Sequence, residues 1–205
     1  MRITKIERQR RNRKRYSIWI DGDYSFSCGR EALVDLGLIE GQELSASELH
    51  TLLVNIQRKE AEDYSLAILA RRPLSEAQLR EKLRSRRYAP GVISSVISYL
   101  KEISLIDDLD YARLWIRSRI KTNPRGALLL KKELRMKGIA PATVEKALEE
   151  FKAAYDETEL LTRVAESRAK RLAHLDRGVR RRRLFNYLLR RGFPIDEVRI
   201  VTRKY

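Results

Sequence analysis

The sequence lacks most of what small-molecule chemistry and membrane insertion require. No run of about 18 apolar residues is present to span a bilayer. The opening Met1-Arg2-Ile3-Thr4-Lys5 has neither the apolar stretch nor the small-residue cleavage site of a secretory signal. No membrane association is expected, and the cytoplasm is the expected compartment. Cys28 is the single cysteine, which excludes an internal disulfide and a cysteine zinc site. His50 and His174 lie far apart without ligand-type companions, so no metal is expected. Neither a P-loop nor Gly-x-Gly-x-x-Gly occurs, and no serine nucleophile elbow is found. The tight carboxylate group Asp107, Asp108 and Asp110 fits Mg²⁺ in principle. Helix capping at the start of a helix near Tyr111 is the simpler account. No enzyme activity, cofactor or small-molecule substrate is expected.

What is abundant is helix-forming residues and positive charge. Glycine (9) and proline (5) are scarce, 43% of residues are hydrophobic, and 35% are charged. This balance favours helices over a sheet protein. The formal net charge of +16 concentrates polyanions around the protein, with DNA or RNA the commonest target.

The N-terminal stretch differs from the rest. Arg15-Tyr16-Ser17-Ile18-Trp19-Ile20 is rich in β-formers, Asp21-Gly22 suits a type I′ hairpin turn, and Tyr24-Ser25-Phe26-Ser27 alternates on the return. Ile3–Ile6 adds a third short strand. A short helix over Arg30–Leu36 stops at Gly37, and another begins near Ser45 or Ser47. Residues 1–58 thus form a small β-hairpin-plus-helix module.

From about residue 59 the apolar spacing is helical. Leu79-Arg80-Glu81-Lys82-Leu83-Arg84 returns as Leu130-Lys131-Lys132-Glu133-Leu134-Arg135, and Ala89-Pro90 returns as Ala140-Pro141, both 51 residues on. Pro73 and Pro124 share that offset. Pro90 and Pro141 fall just inside a helix, where the missing N–H is harmless. A looser third copy places Leu184 and Leu188 opposite Leu130 and Leu134, 54 residues on, and Arg191-Gly192-Phe193 opposite Lys137-Gly138-Ile139. The first copy has Arg87 where the others have glycine, and Pro194 falls one position early. The expected fold is mainly α: three tandem three-helix repeats, 59–106, 107–155 and 156–205, stacked in an elongated curved array. The alternative is a single helical domain whose similarity reflects shared helix-hairpin grammar.

The charge is uneven. Residues 1–58 hold ten basic against eight acidic residues, 59–108 nine against eight, 109–155 eleven against five, and 156–205 fourteen against seven. One aligned position is basic in every copy: Arg86, Lys137 and Arg191. Neighbouring candidates are Arg84, Lys131, Lys132 and Arg135. The last repeat adds Arg190 and the run Arg180, Arg181, Arg182 and Arg183. On stacked repeats these positions form a basic stripe suited to a phosphate backbone, with strong salt dependence. Taken singly, each also suits an ordinary solvated helix face. A second cluster, Arg8, Arg10, Arg11, Arg13, Lys14 and Arg15, fits either a phosphate-gripping arm or a solubilising lead-in.

Three segments carry a family resemblance. Leu69-Ala70-Arg71-Arg72-Pro73-Leu74-Ser75-Glu76 with Leu79 and Leu83, then Ile106-Asp107-Asp108-Leu109-Asp110-Tyr111-Ala112, then Glu133-Leu134-Arg135-Met136-Lys137-Gly138-Ile139 resemble the signatures of the bacterial RecX regulators. The match covers about residues 60–155 well and 156–205 loosely. The resemblance implies three tandem three-helix repeats and modulation of the RecA recombinase. It implies binding along the groove of the RecA filament on single-stranded DNA, restraining ATPase and strand exchange. Accessory DNA binding, to single strands and in prospect to duplex, comes with it. So does a place in homologous recombination, DNA repair and the SOS response. The family has no established catalytic residues, and its N-terminal hairpin module occurs in only part of it. A monomer is expected. The competing expectation is a sequence-specific DNA-binding regulator that reads duplex with helix-turn-helix-like repeats. An RNA-binding scaffold finds no aromatic signature in its favour.

Overall fold

The computed structural model describes residues 1–205 and divides into two compact units, residues 1–73 with 79–105, and residues 74–78 with 106–205. The first unit opens with an antiparallel sheet of order β1 (Ile3–Arg8), β2 (Arg15–Ile20) and β3 (Asp23–Gly29). Asp21 (φ 52°) and Gly22 (φ 95°) both take positive φ, as a type I′ turn demands, and Ile20 pairs with Asp23 across it. Ile3, Ile18, Ile20 and Cys28 point from the sheet into a core shared with Leu38, Leu52 and Ile56. Burial pushes the Cys28 thiol up to about 11, so it packs there as a small inert hydrophobe.

Helix α1 (Arg30–Asp35) is short and gives way to Gly37 at φ 59°. Helix α2 (Ala46–Leu69) starts from a capping box. Ser45 Oγ accepts from the Glu48 N–H at 3.2 Å, and the Glu48 carboxylate accepts from the Ser45 N–H at 2.7 Å. Helix α2 runs unbroken for 24 residues, linking the N-terminal module to the first repeat. Helices α3 (Glu76–Ser85) and α4 (Pro90–Glu102) follow, with Val92, Ile93, Val96, Ile97 and Leu100 as the apolar stripe of α4.

The second unit holds α5 (Asp108–Thr122), α6 (Ala127–Met136), α7 (Pro141–Ala154), α8 (Glu157–Arg171), α9 (Arg177–Arg190) and α10 (Ile195–Thr202). Helix α5 packs on α7, and α8 packs on α9 and α10, around one continuous core. The three middle helices bury the same two leucines: Leu79 and Leu83, Leu130 and Leu134, Leu184 and Leu188 are all fully buried. Pro90 and Pro141 occupy the first helical turn, and Pro194, one position early, serves as the N-cap itself. After each middle helix the chain enters the left-handed region, at Arg87 (φ 63°), Gly138 (φ 80°) and Gly192 (φ 81°). The non-glycine copy keeps the turn at a steric cost of roughly 1–2 kcal/mol. Three tandem three-helix repeats follow an N-terminal three-stranded sheet.

Helix α5 begins at Asp108, three residues before the expected start near Tyr111. Asp107 caps it, its carboxylate accepting from the N–H groups of Leu109 at 2.7 Å and Asp110 at 3.0 Å. The other two acids are drawn elsewhere: Asp108 accepts from the Glu76 N–H at 2.8 Å, and Asp110 pairs with Arg113 at 2.7 Å. Three carboxylates with three separate partners make no metal cluster, and no group of three or more His, Cys, Asp or Glu side chains is placed to hold a metal ion. No helix is long and apolar enough to cross a membrane.

Candidate nucleic-acid interface

The basic residues sort into those tied into the fold and those facing solvent without a partner. On α3, Arg84 forms a loose surface pair with Glu81 at 3.9 Å. The position that is basic in every repeat does structural duty. The Arg86 guanidinium lies 3.8 Å from the Tyr64 ring centre, and Lys137 Nζ lies 4.6 Å from that of Trp115. Tyr64 and Trp115 both sit on the first helix of their repeat, 51 residues apart, so the contact belongs to the repeat. Each such contact contributes about 0.5–2 kcal/mol. In the third repeat the aromatic moves to α9: Arg191 lies 4.9 Å from the Tyr187 ring centre, and it also donates to Asn123 Oδ1 and, at 3.1 Å, to the Pro124 carbonyl.

Lys131 is paired with Glu145 of α7. This pairing, with Arg135 and Lys152 nearby, holds the Glu145 carboxyl below its usual range. Arg180 is half-buried, donating to the Tyr205 carbonyl at 3.2 Å. The remaining candidates are Lys132 and Arg135 on α6, and Arg181, Arg182, Arg183 and Arg190 on α9. All six are exposed and form no ion pair. Lys132 and Arg135 are three residues apart and share a helix face, as do Arg183 and Arg190, seven apart.

Behind α6 the Trp115 ring is flanked by Lys137 and by Arg119, whose guanidinium lies 4.1 Å from the ring centre. Glu133, nearly buried, accepts from the Trp115 indole N–H at 2.8 Å and from Arg119 at 3.0 Å, and pairs with Arg125. Burial, with Arg119 and Arg191 nearby, lowers the pKa of Arg125. One carboxylate therefore serves two arginines, with Lys137 nearby, which leaves a local excess of positive charge.

Sequence reasoning missed one feature. A cleft of about 420 Å³ opens where α8 and α9 meet the end of α5, and Arg163, Arg168 and Arg171 of α8 line it together with Arg191. Their signal was available: residues 164, 168 and 171 recur at helical spacing with 163 and 167 alongside, which aims one face of α8 into the cleft.

The same ordered set of segments marks a known family. Residues 1–45 match the model of the regulatory protein RecX N-terminal domain. Residues 61–100, 107–148 and 155–202 match those of the first, second and third three-helix domains of RecX. The regulatory protein RecX of Clostridium acetobutylicum is 30% identical over 205 residues, covering 98% of this chain and 95% of its own. This chain belongs to the RecX family. The RecX of Bacillus subtilis is also 30% identical, over 96% of this chain and 74% of its own. Among solved structures, a crystal structure of regulatory protein RecX superposes with a TM-score of 0.71 at 25% identity over 98% of both chains. RecX from Lactobacillus salivarius gives 0.63 at 25% identity, over 72% of this chain and 96% of its own. The RecX family is a regulatory one, and its fold is the one described above.

Proposed function

We propose that this protein regulates the RecA recombinase without catalysis of its own. It binds the RecA nucleoprotein filament, makes accessory contacts with DNA, and restrains ATP hydrolysis and strand exchange. Family membership supports the partner. The observation that carries the nucleic-acid part is the set of six exposed, unpaired cations on α6 and α9, in the half of the chain where basic residues most outnumber acidic ones. Occupying neighbouring RecA subunits and adjacent phosphates together hinders subunit addition and the conformational changes of the ATPase cycle. Binding of this kind weakens steeply with salt and has little sequence preference.

The duplex-reading alternative needs the third helix of a repeat to enter the major groove, cations or amides first. Helix α7, which follows α6 through the Gly138 turn, exposes Glu145, Lys146 and Glu149 instead, a composition that disfavours a phosphate-lined groove.

Adding the purified protein to RecA on single-stranded DNA and following ATP turnover tests the reading. ATP turnover is expected to fall in proportion to added protein, and an unchanged rate at molar excess over RecA sinks it. Lys132→Glu with Arg135→Glu should weaken the inhibition. Lys131 is left intact, because its reversal would face Glu145 with a second carboxylate. Inhibition that persists undiminished in the double variant removes the basic surface from the account.

A further inference from the structure

The cleft between α8, α9 and the end of α5 is lined by four guanidinium groups and no carboxylate. Four other arginines of this unit are paired with acids: Arg113 with Glu150, Arg119 and Arg125 with Glu133, Arg199 with Asp196. The four cleft arginines form no ion pair. Two are fixed in place. Arg191 is held by Asn123 and Pro124, and Arg168 lies 4.8 Å from the Tyr187 ring centre, with its Nε buried and unpartnered. Arg163 and Arg171 stand exposed at the rim.

We propose that this cleft is a seat for a backbone phosphate of single-stranded nucleic acid. Like charges gathered without a counter-ion repel one another, and a ligand that neutralises several at once relieves that cost. The planar guanidinium fork donates in pairs to phosphate oxygens, and donors already held by aromatic and carbonyl contacts lose little freedom on binding. The volume suits a ligand of nucleotide size. A strand is favoured over a free anion because exposed Lys170 and Arg190 adjoin the lining residues Arg171 and Arg191 in the chain, so further positive charge stands close to the cleft. A flexible single strand can turn one phosphate into a recessed seat, which a rigid duplex ridge cannot. The proposal rests on the reading of this chain as a nucleic-acid-binding protein and is independent of RecA.

The test is anisotropy of labelled oligo-thymidylate across a salt series, with no RecA present, comparing Arg163→Gln/Arg171→Gln with Arg71→Gln/Arg72→Gln. The first pair lines the rim. The second removes the same charge from exposed positions before Pro73. All four residues are exposed, so both variants should fold, and circular dichroism checks this. The cleft variant is expected to bind roughly tenfold more weakly, with its log–log salt slope reduced by about 0.7, one phosphate's share on a single strand. The control should stay within about twofold of the parent. Equal losses in the two variants would overturn the proposal, since net charge alone would then account for binding. Thermal stabilisation of the parent by inorganic pyrophosphate, absent in the cleft variant whose oligonucleotide binding is intact, would also overturn it, assigning the cleft to a free anion. Loss of oligonucleotide binding in the cleft variant with no effect of the parent protein on RecA would leave the seat standing and refute only the recombinase reading.

Discussion

Replacing Glu133 by alanine tests whether one carboxylate holds the second repeat's polar layer together. Its side chain is 11% exposed, while those of its partners Arg119 and Arg125 are 26% and 21% exposed. Removing one member of a fully buried ion pair costs about 3–5 kcal/mol, because the other charge is left uncompensated. Partial exposure of both arginines lets water recover some of that, so Glu133→Ala should lose about 2–3 kcal/mol. Glu133→Gln keeps an acceptor for the Trp115 indole and gives up the charge, and about 1–2 kcal/mol is expected. Both variants are made in a Trp19→Phe background, so that fluorescence reports on Trp115 alone. Urea titration read at that tryptophan follows the unit holding α5 to α10. The alanine variant's midpoint should fall more than the glutamine variant's, and its Tm should fall by about 5–10 °C. Both variants unfolding within about 0.5 kcal/mol of the parent would refute the reasoning. Equal losses would assign the effect to the charge and not to the indole hydrogen bond.

Two further outcomes follow from the joints between repeats. A Cβ at Gly192 would overlap Leu129, and its φ of 81° already disfavours any side chain, so Gly192→Ala should cost more than 3 kcal/mol in thermal unfolding; Gly178→Ala, in open space on α9, should be neutral or gain up to about 1 kcal/mol. Burial raises the carboxyl pKa of Glu157, outweighing its bond from the Ala127 N–H. A carboxyl raised in the folded state contributes most below its unfolded pKa, and that contribution is lost as pH rises through the folded value. Glu157→Gln, which keeps the acceptor, should therefore gain stability relative to the parent at pH 7 and not at pH 4; a difference between the two proteins that is the same at both pH values would count against the burial account.

The repeat was legible because its landmarks are steric. A buried leucine pair four residues apart, a proline in the first helical turn and a left-handed residue after the middle helix leave marks in residue type as well as in shape. The hairpin was legible for the same reason, at Asp21-Gly22. The binding face was less so. Charge at Arg86, Lys137 and Arg191 looked like a stripe, but a cation's role depends on what lies against it, and each lies over an aromatic ring. The pair Tyr64 and Trp115 shared the 51-residue offset all along, yet aromatic–cation contacts are tertiary and leave no spacing rule within one helix. The third repeat obscured the pattern further by placing its aromatic on α9. The excess charge of residues 156–205 is visible in the sequence, but the repeat of the middle helices gives no sign of α8, where Arg163, Arg168 and Arg171 turn one face into the cleft.

The joints explain how a repeat array can present charge at fixed spacing. Each joint uses two hydrogen bonds. A first-turn acid of one repeat accepts from the first turn of the preceding middle helix: Asp108 from Glu76, Glu157 from Ala127 at 2.7 Å. Beside it, the carbonyl preceding the left-handed glycine accepts a hydrogen bond from the segment entering the preceding middle helix: Lys137 from the Ser75 hydroxyl at 2.6 Å, Arg191 from the Gly126 N–H at 2.9 Å. Ser75 and Gly126 are again 51 residues apart. The glycines at both joints meet their neighbours so closely that a methyl group would collide, Gly138 with Ala77 and Gly192 with Leu129. Close seating of this kind, with hydrogen bonds on either side of a glycine turn, limits how far one repeat can shift on the next. It fixes Lys132 and Arg135 on α6 relative to the arginines of α9, and a charged surface whose spacing is set before the ligand arrives loses less entropy on binding. The residue that forms part of the joint, Arg191, also lines the cleft. Packing and the proposed phosphate seat thus share one turn, and loosening the glycine beside it should weaken oligonucleotide binding as well as the fold.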